Sequence, residues 1–132
     1  MSNITSPNLD RLAAQHAQAI ISRTTDKKAS EVDNTVTKAL GVLQENGVYA
    51  CFLYLRAKEG ENDRVVVVVV EEMLDLLDGL GFGWGKPTEN SLKEVLSYIS
   101  EKVTVDLERL LLAKETLEQM LIYARYGAKA RG

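Results

Sequence analysis

The chain has 132 residues, 45% apolar and 27% charged, with 16 basic and 19 acidic side chains, one histidine and one cysteine. That length suits one domain with one core, burying roughly two-thirds of the unfolded surface, and the composition is that of neither a disordered nor a fibrous chain. Cys51 alone excludes an intramolecular disulfide and a cysteine-rich metal site; no apolar stretch of signal-peptide type opens the chain and no apolar run approaches the ~20 residues of a bilayer span, so a cytoplasmic protein with no membrane partner is expected.

The net charge of -3 is unevenly placed. Residues 1–58 hold seven basic and five acidic side chains, residues 59–118 six and fourteen, and residues 119–132 three and none. Basic ends flank an acidic middle, so one face can be basic although the total charge argues against a nucleic-acid binder.

In chain order, "SPNLDRLAAQHAQAIISR" offers Ser6 as a cap and Pro7 at the first helical position, followed by Leu9, Leu12, Ala13, His16 and Ile20 on one helical face. "SEVDNTVTKALGVLQENG" repeats the pattern. Ser30 and Asp33 resemble a capping box, Val32, Val36, Leu40 and Leu43 form the stripe, and Gly47 can close the helix.

"VYACFLYLRAKEGENDRVVVVVV" reads two ways. Two apolar runs around the turn-like "KEGEND" would serve as a β-hairpin, whereas Val48, Cys51, Phe52 and Leu55 keep helical spacing. For the six valines the continuation favours helix: Asp63 or Asn62 can cap, and Met73, Leu74, Leu77 and Leu80 extend a helical stripe until Gly79 and Gly81 stop it. Six valines cost a helix roughly 3 kcal/mol relative to alanine. Burial recovers ~1.5 kcal/mol or more for each.

After the loop "GLGFGWGKPTEN", Ser91 and Glu94 form a capping box ahead of Leu92, Val95, Leu96 and Ile99. The last element, "VDLERLLLAKETLEQMLIYARYG", carries Leu107, Leu110, Leu111, Leu117, Leu121 and Ala124 on a stripe that Gly127 ends. Residues 1–7 and 128–132 are expected to be flexible ends of a single domain, 1–132.

Groups that converge for catalysis are scarce. His16 sits on the apolar edge of the first helix, and Cys51 lies in the most hydrophobic stretch, where a thiol is inert. The glycines of "GLGFGWGK" lack the Gly-Lys-Ser/Thr ending of a phosphate loop and follow a helix. Glu71, Glu72, Asp75 and Asp78 read as a solvated acidic face without metal-ligand spacing. A protein that is not an enzyme, with no metal or other cofactor, is expected.

Three blocks resemble the small subunit of the Cmr effector complex of type III-B CRISPR-Cas systems: "LDRLAAQHAQAI", "ALGVLQENGVYACFLYL" around the Asn46-Gly47 turn, and "LERLLLAKETLEQMLIYARYGAKA". The likeness runs from about residue 9 to 130. The chain departs from it in its valine run and in lacking a proline before the Asn-Gly block, which leaves room for the small subunit of a neighbouring type III class.

The resemblance implies an all-α fold, a compact bundle of about six helices, with helix across residues 63–79. It further implies an RNA-binding, non-catalytic role in antiviral defence, in which copies stack along the crRNA-bearing backbone and line the groove where target RNA pairs with the guide. The implied partners are the backbone and large subunits, other copies of the chain and the crRNA–target RNA duplex. A channel wall of this kind needs cations facing phosphates and no base-reading apparatus.

By charge and position, the candidates for RNA contact are Arg11, Arg23, Lys38, Arg125, Lys129 and Arg131. Phe82 and Trp84 could stack on bases or anchor their loop. The rival expectation is a helical protein–protein adaptor or phage-type inhibitor that sets its acidic face on a basic partner.

Overall fold

Local capping sets where each helix begins. In a computed structural model, which describes residues 8–58 and 63–132, α1 spans Leu9–Ser22 and starts at Asn8, whose side chain accepts from the Arg11 N–H at 3.1 Å. Asn8 thus takes the place expected for Ser6; Ser6 and Pro7 lie outside the described residues. The second helix, α2, spans Ala29–Asn46 and follows Lys28, whose ammonium has no acceptor to offer as a cap; Ser30 lies inside the helix and Asp33 accepts from Thr37 and Lys129, so the expected box does not form. Gly47, at φ 97°, ends it in a backbone conformation that suits glycine.

The ambiguous region is helical on both sides. α3 spans Val48–Lys58 and buries Val48, Cys51, Phe52 and Leu55. α4 spans Arg64–Gly79; Asp63 caps it by accepting from the N–H groups of Val65 and Val66 at 3.0 and 3.2 Å. Asn62, the other candidate cap, is outside the described residues. Five of the six valines are buried, and only Val67 is partly exposed.

α5 spans Leu92–Tyr98 and runs on into a π-helical turn, Ile99–Val103, which closes with the Thr104 N–H on the Ile99 carbonyl at 3.1 Å. Ser91 caps α5 through the Glu94 N–H, but the Glu94 carboxylate turns to the Thr88 hydroxyl, so only half of the expected box forms.

The last helix, α6, spans Leu107–Arg131 and departs from expectation in its stripe, its glycine and its end. Its buried face is Ala113, Thr116, Leu117, Met120, Leu121, Ala124 and Ala128, while Leu107 and Leu111 are exposed by 67% and 55%. Gly127 does not stop it: the glycine lets α1 approach, since a Cβ there would lie 3.0 Å from Ile21 Cγ1. Residues 128–131, expected as part of a flexible end, are the final turn of α6.

Among the described residues there are six α-helices and no strand. Helix α4 touches α1, α2, α3 and α6, which explains why its valines are tolerated: almost every side of it meets another helix. α6 packs along both α1 and α2, and α5 with its π turn packs on α3. One core results. No helix of the described residues is long and apolar enough to cross a membrane.

Candidate nucleic-acid interface

The six predicted contact residues fall into three groups. Arg11 and Lys38 are exposed, and neither side chain makes an ion pair or hydrogen bond among the described residues. Arg11 sits on the outer face of α1, about 18 Å along that helix from Arg23 at a rise of ~1.5 Å per residue. Lys38 lies on the outer face of α2, five residues and about 140° around the axis from Asp33. The two therefore do not share a face with the rest.

Arg23, at the exposed end of α1, is committed to α4. Its guanidinium donates to Glu71 Oε1 at 2.5 Å and Glu72 Oε2 at 2.8 Å, and the Glu71 bond in particular raises its pKa. Glu72, 6% exposed, also meets His16 Nδ1 at 2.7 Å. His16, Arg23, Glu71 and Glu72 thus form one polar tie between α1 with its C-cap and α4. Asn90 extends it, donating to Glu71 Oε2 at 3.3 Å.

Arg125, Lys129 and Arg131 come together at the C-terminal end of α6. Lys129 pairs with Asp33 Oδ2 at 3.1 Å, and this bond, with help from the Thr37 hydroxyl and Arg125, holds the Asp33 carboxyl below the usual carboxylate range. Arg125 is half-buried with its Nε unpaired. Arg131 donates to the carbonyls of Thr24, at 3.0 Å, and Lys27. The end of α6 is thereby sewn to the turn between α1 and α2.

That turn, residues 23–28, brings in cations outside the predicted set. Lys27 is half-buried and Lys28 exposed, and Arg64, the first residue of α4, binds both carboxylate oxygens of Asp26 at 2.6 and 2.8 Å. The Arg64 hydrogen bond holds the Asp26 carboxyl below its usual range. The adjacent lysines of "TTDKKAS" were the available sequence signal. A choice by position along helices passed over them, since the turn's place beside α6 is a tertiary fact.

Other candidates for chemistry are tied up. Burial pushes the Cys51 thiol up to about 12, and its Sγ lies 3.4 Å from the Ala39 carbonyl. In the loop after α4, Gly81, Gly83 and Gly85 all have positive φ, which folds Phe82 and Trp84 edge to face at 5.0 Å. Trp84 is 8% exposed, Arg109 covers the Phe82 ring at 5.1 Å and the Tyr98 hydroxyl donates to the Gly85 carbonyl at 2.9 Å. Of the two roles weighed for the aromatics, this geometry is that of a loop anchor.

A cleft of about 530 Å³ lies between α4 and the loop that follows it, lined by Arg23, Glu71, Asp75, Lys86, Glu89 and Asn90 among others. Lys86 bridges it to Asp75 at 3.0 Å. Among the described residues no group of three His, Cys, Asp or Glu side chains is placed to hold a metal ion.

The chain matches no family model, no curated protein and no solved structure.

Proposed function

We propose that this chain is a non-catalytic small subunit of a type III CRISPR effector complex of the Cmr kind, acting in the cytoplasm in antiviral defence, whose copies stack along the crRNA-bearing backbone beside the target RNA. The observation that carries the reading is the distribution of charge on an all-helical bundle: Arg64 of α4 and Arg131 of α6 join Lys27 and Lys28 at the 23–28 turn, while in the neighbouring cleft beside α4 the acids Glu71, Asp75 and Glu89 outnumber Arg23 and Lys86. A subunit that contacts phosphates on one surface and a neighbouring copy on another needs such a division. The sequence likeness in three blocks spanning the helices supplies the particular complex.

Arg11 and Lys38 make the cleanest test, since neither side chain makes an ion pair or hydrogen bond among the described residues. Reversing both to glutamate should weaken the assembled complex for target RNA, while stability moves by less than ~0.5 kcal/mol. Unchanged affinity with intact folding would remove the outer faces of α1 and α2 from the RNA surface. Lys129 is unsuitable for reversal because a glutamate there would face Asp33.

The acidic cleft favours a second reading, an adaptor or inhibitor that receives a basic segment of a protein partner. Salt separates the two: RNA affinity that rises as salt falls belongs to the first reading only.

A further inference from the structure

We infer that the α1–α2 turn, residues 23–28, is where this protein takes hold of an RNA phosphate, with Lys27 and Lys28 as the contacts and Arg64 and Arg131 as positioning residues. The inference deepens the functional reading above and shares its premise that the ligand is RNA.

A turn that follows a helix is ordinarily a poor place for an anion. The last carbonyls of α1 point outward without helical partners, and the helix dipole puts its negative end there. In this protein the Ala19 and Ile21 carbonyls of α1 take the Arg23 and Thr24 N–H groups, at 2.9 and 3.3 Å, and the carbonyls of the turn itself are covered from other helices. Arg64 Nη2 donates to the Arg23 carbonyl at 2.8 Å, Arg131 Nη1 to the Thr24 carbonyl at 3.0 Å, and Arg131 Nη2 to the Lys27 carbonyl. The hydroxyl of Thr24, a fully buried residue, takes the Ile20 carbonyl at 2.7 Å.

The turn's own carboxylate is neutralised as well, since both oxygens of Asp26 face Arg64. The pair of ammonium groups remains without a hydrogen bond or close ion pair among the described residues, although the Lys27 charge adds to that of Arg64 in holding the Asp26 carboxyl down. Glu31, exposed one turn into α2, is the other acid close in sequence. Lys27, Lys28, Arg64 and Arg131 against Asp26 and Glu31 leave two positive charges in excess.

The guanidinium groups and the ammonium groups therefore divide the work. The planar forks of Arg64 and Arg131 fix three carbonyls and a carboxylate from two further helices, and lysine, a compact point charge, meets the phosphate. A turn already held from α4 and α6 loses little freedom on binding, so the contact costs less in ordering.

The test is fluorescence anisotropy of a labelled oligouridylate with the full-length chain over a series of salt concentrations. Removing two phosphate contacts on a single strand should flatten the plot of log affinity against log salt by about 1.4, which at about 0.1 M salt is a loss of about 25-fold. That is the result expected for Lys27→Gln/Lys28→Gln. The exposed pair Lys93→Gln/Lys102→Gln removes the same charge elsewhere and should leave the slope alone. Arg131→Lys keeps the charge but not the fork, and should lose affinity several-fold at the wild-type slope.

Circular dichroism should show every variant as helical as the wild type. An equal loss of slope in the Lys93/Lys102 pair would show a diffuse charge effect and overturn the inference. Full affinity in Arg131→Lys would overturn the positioning role. If the wild type binds with a salt slope that Lys27→Gln/Lys28→Gln does not change, the inference falls and the RNA reading stands. A wild type without salt-dependent binding also overturns the inference, and the effector-complex reading is then decided by co-purification of guide RNA.

Discussion

Glu72 shows how one residue can carry more of the structure than its sequence position suggests. Its carboxylate is nearly buried, and it is tolerated because His16 and Arg23 occupy its two oxygens. In sequence it reads as one of four acids on a solvated face with Glu71, Asp75 and Asp78. The spacing from Val65, Val68, Val69 and Leu76, all buried, places it on the inner side of α4, but a charge is ordinarily taken to point outward. The pairing of Arg23 is hidden in the sequence for the matching reason: a cation at the end of an amphipathic helix looks free until the tertiary fold supplies its partner. Glu72→Ala should cost about 1–3 kcal/mol in urea unfolding, the lower part of the range for breaking a buried pair, because the released Arg23 and His16 side chains are 39% and 19% exposed and can be rehydrated. A loss within ~0.5 kcal/mol, the range of ordinary surface changes, would mean the α1–α4 tie is dispensable.

At the scale of elements, the valine run is the instructive case. Propensity pointed to strand, yet the Asp63 cap, the leucine stripe and the glycines behind it pointed to helix, and the helix forms because α4 is enclosed by four others. The two side-chain environments within the run make this testable. Val69→Ala should destabilise by about 1.5–2.5 kcal/mol, the cavity and transfer loss less a gain of roughly 0.5 kcal/mol in helix propensity. Val67→Ala, at the partly exposed position, should lie within about 0.5 kcal/mol of neutral, since the same gain offsets a smaller burial. Chemical denaturation of the two variants checks it, and equal large losses would contradict the burial pattern. Helix α6 was legible as a helix and, through Leu117, Leu121 and Ala124, in the buried face of its later turns, but not in its first turns, where Leu107 and Leu111 point out. Seven apolar or small residues at core spacing compete with a leucine cluster at its start, and sequence periodicity weights the large leucines over alanines that pack closely against α1 and α2. Gly127 belongs to the same lesson, because a glycine that admits a neighbouring helix and one that ends a helix look alike in sequence.

For the whole molecule, an all-α bundle was readable from caps and stripes, while the functional surface was readable only as a tendency of charge. Of the predicted cations, three gather at one end, one is tied to the carboxylates of α4 and two stand on separate outer faces, because the arrangement depends on how α6 docks on the 23–28 turn. That arrangement bears on assembly. Contact between the basic end of one copy and the acidic cleft of another would be electrostatic and screened over ~8 Å at physiological salt, so the isolated chain should be monomeric. Stacking should appear when a guide-bearing backbone raises the effective concentration of neighbours. Light scattering on the free protein and on a reconstituted complex checks this, and a tight, salt-insensitive dimer in isolation would favour the adaptor reading.

The most direct measurement is affinity purification of the tagged chain from its native host, followed by sequencing of the RNA that comes with it. The account predicts guide RNA carrying CRISPR-repeat sequence, together with the backbone and large subunits of an effector complex. Recovery of the chain free of guide RNA, bound instead to a basic protein partner, would contradict it.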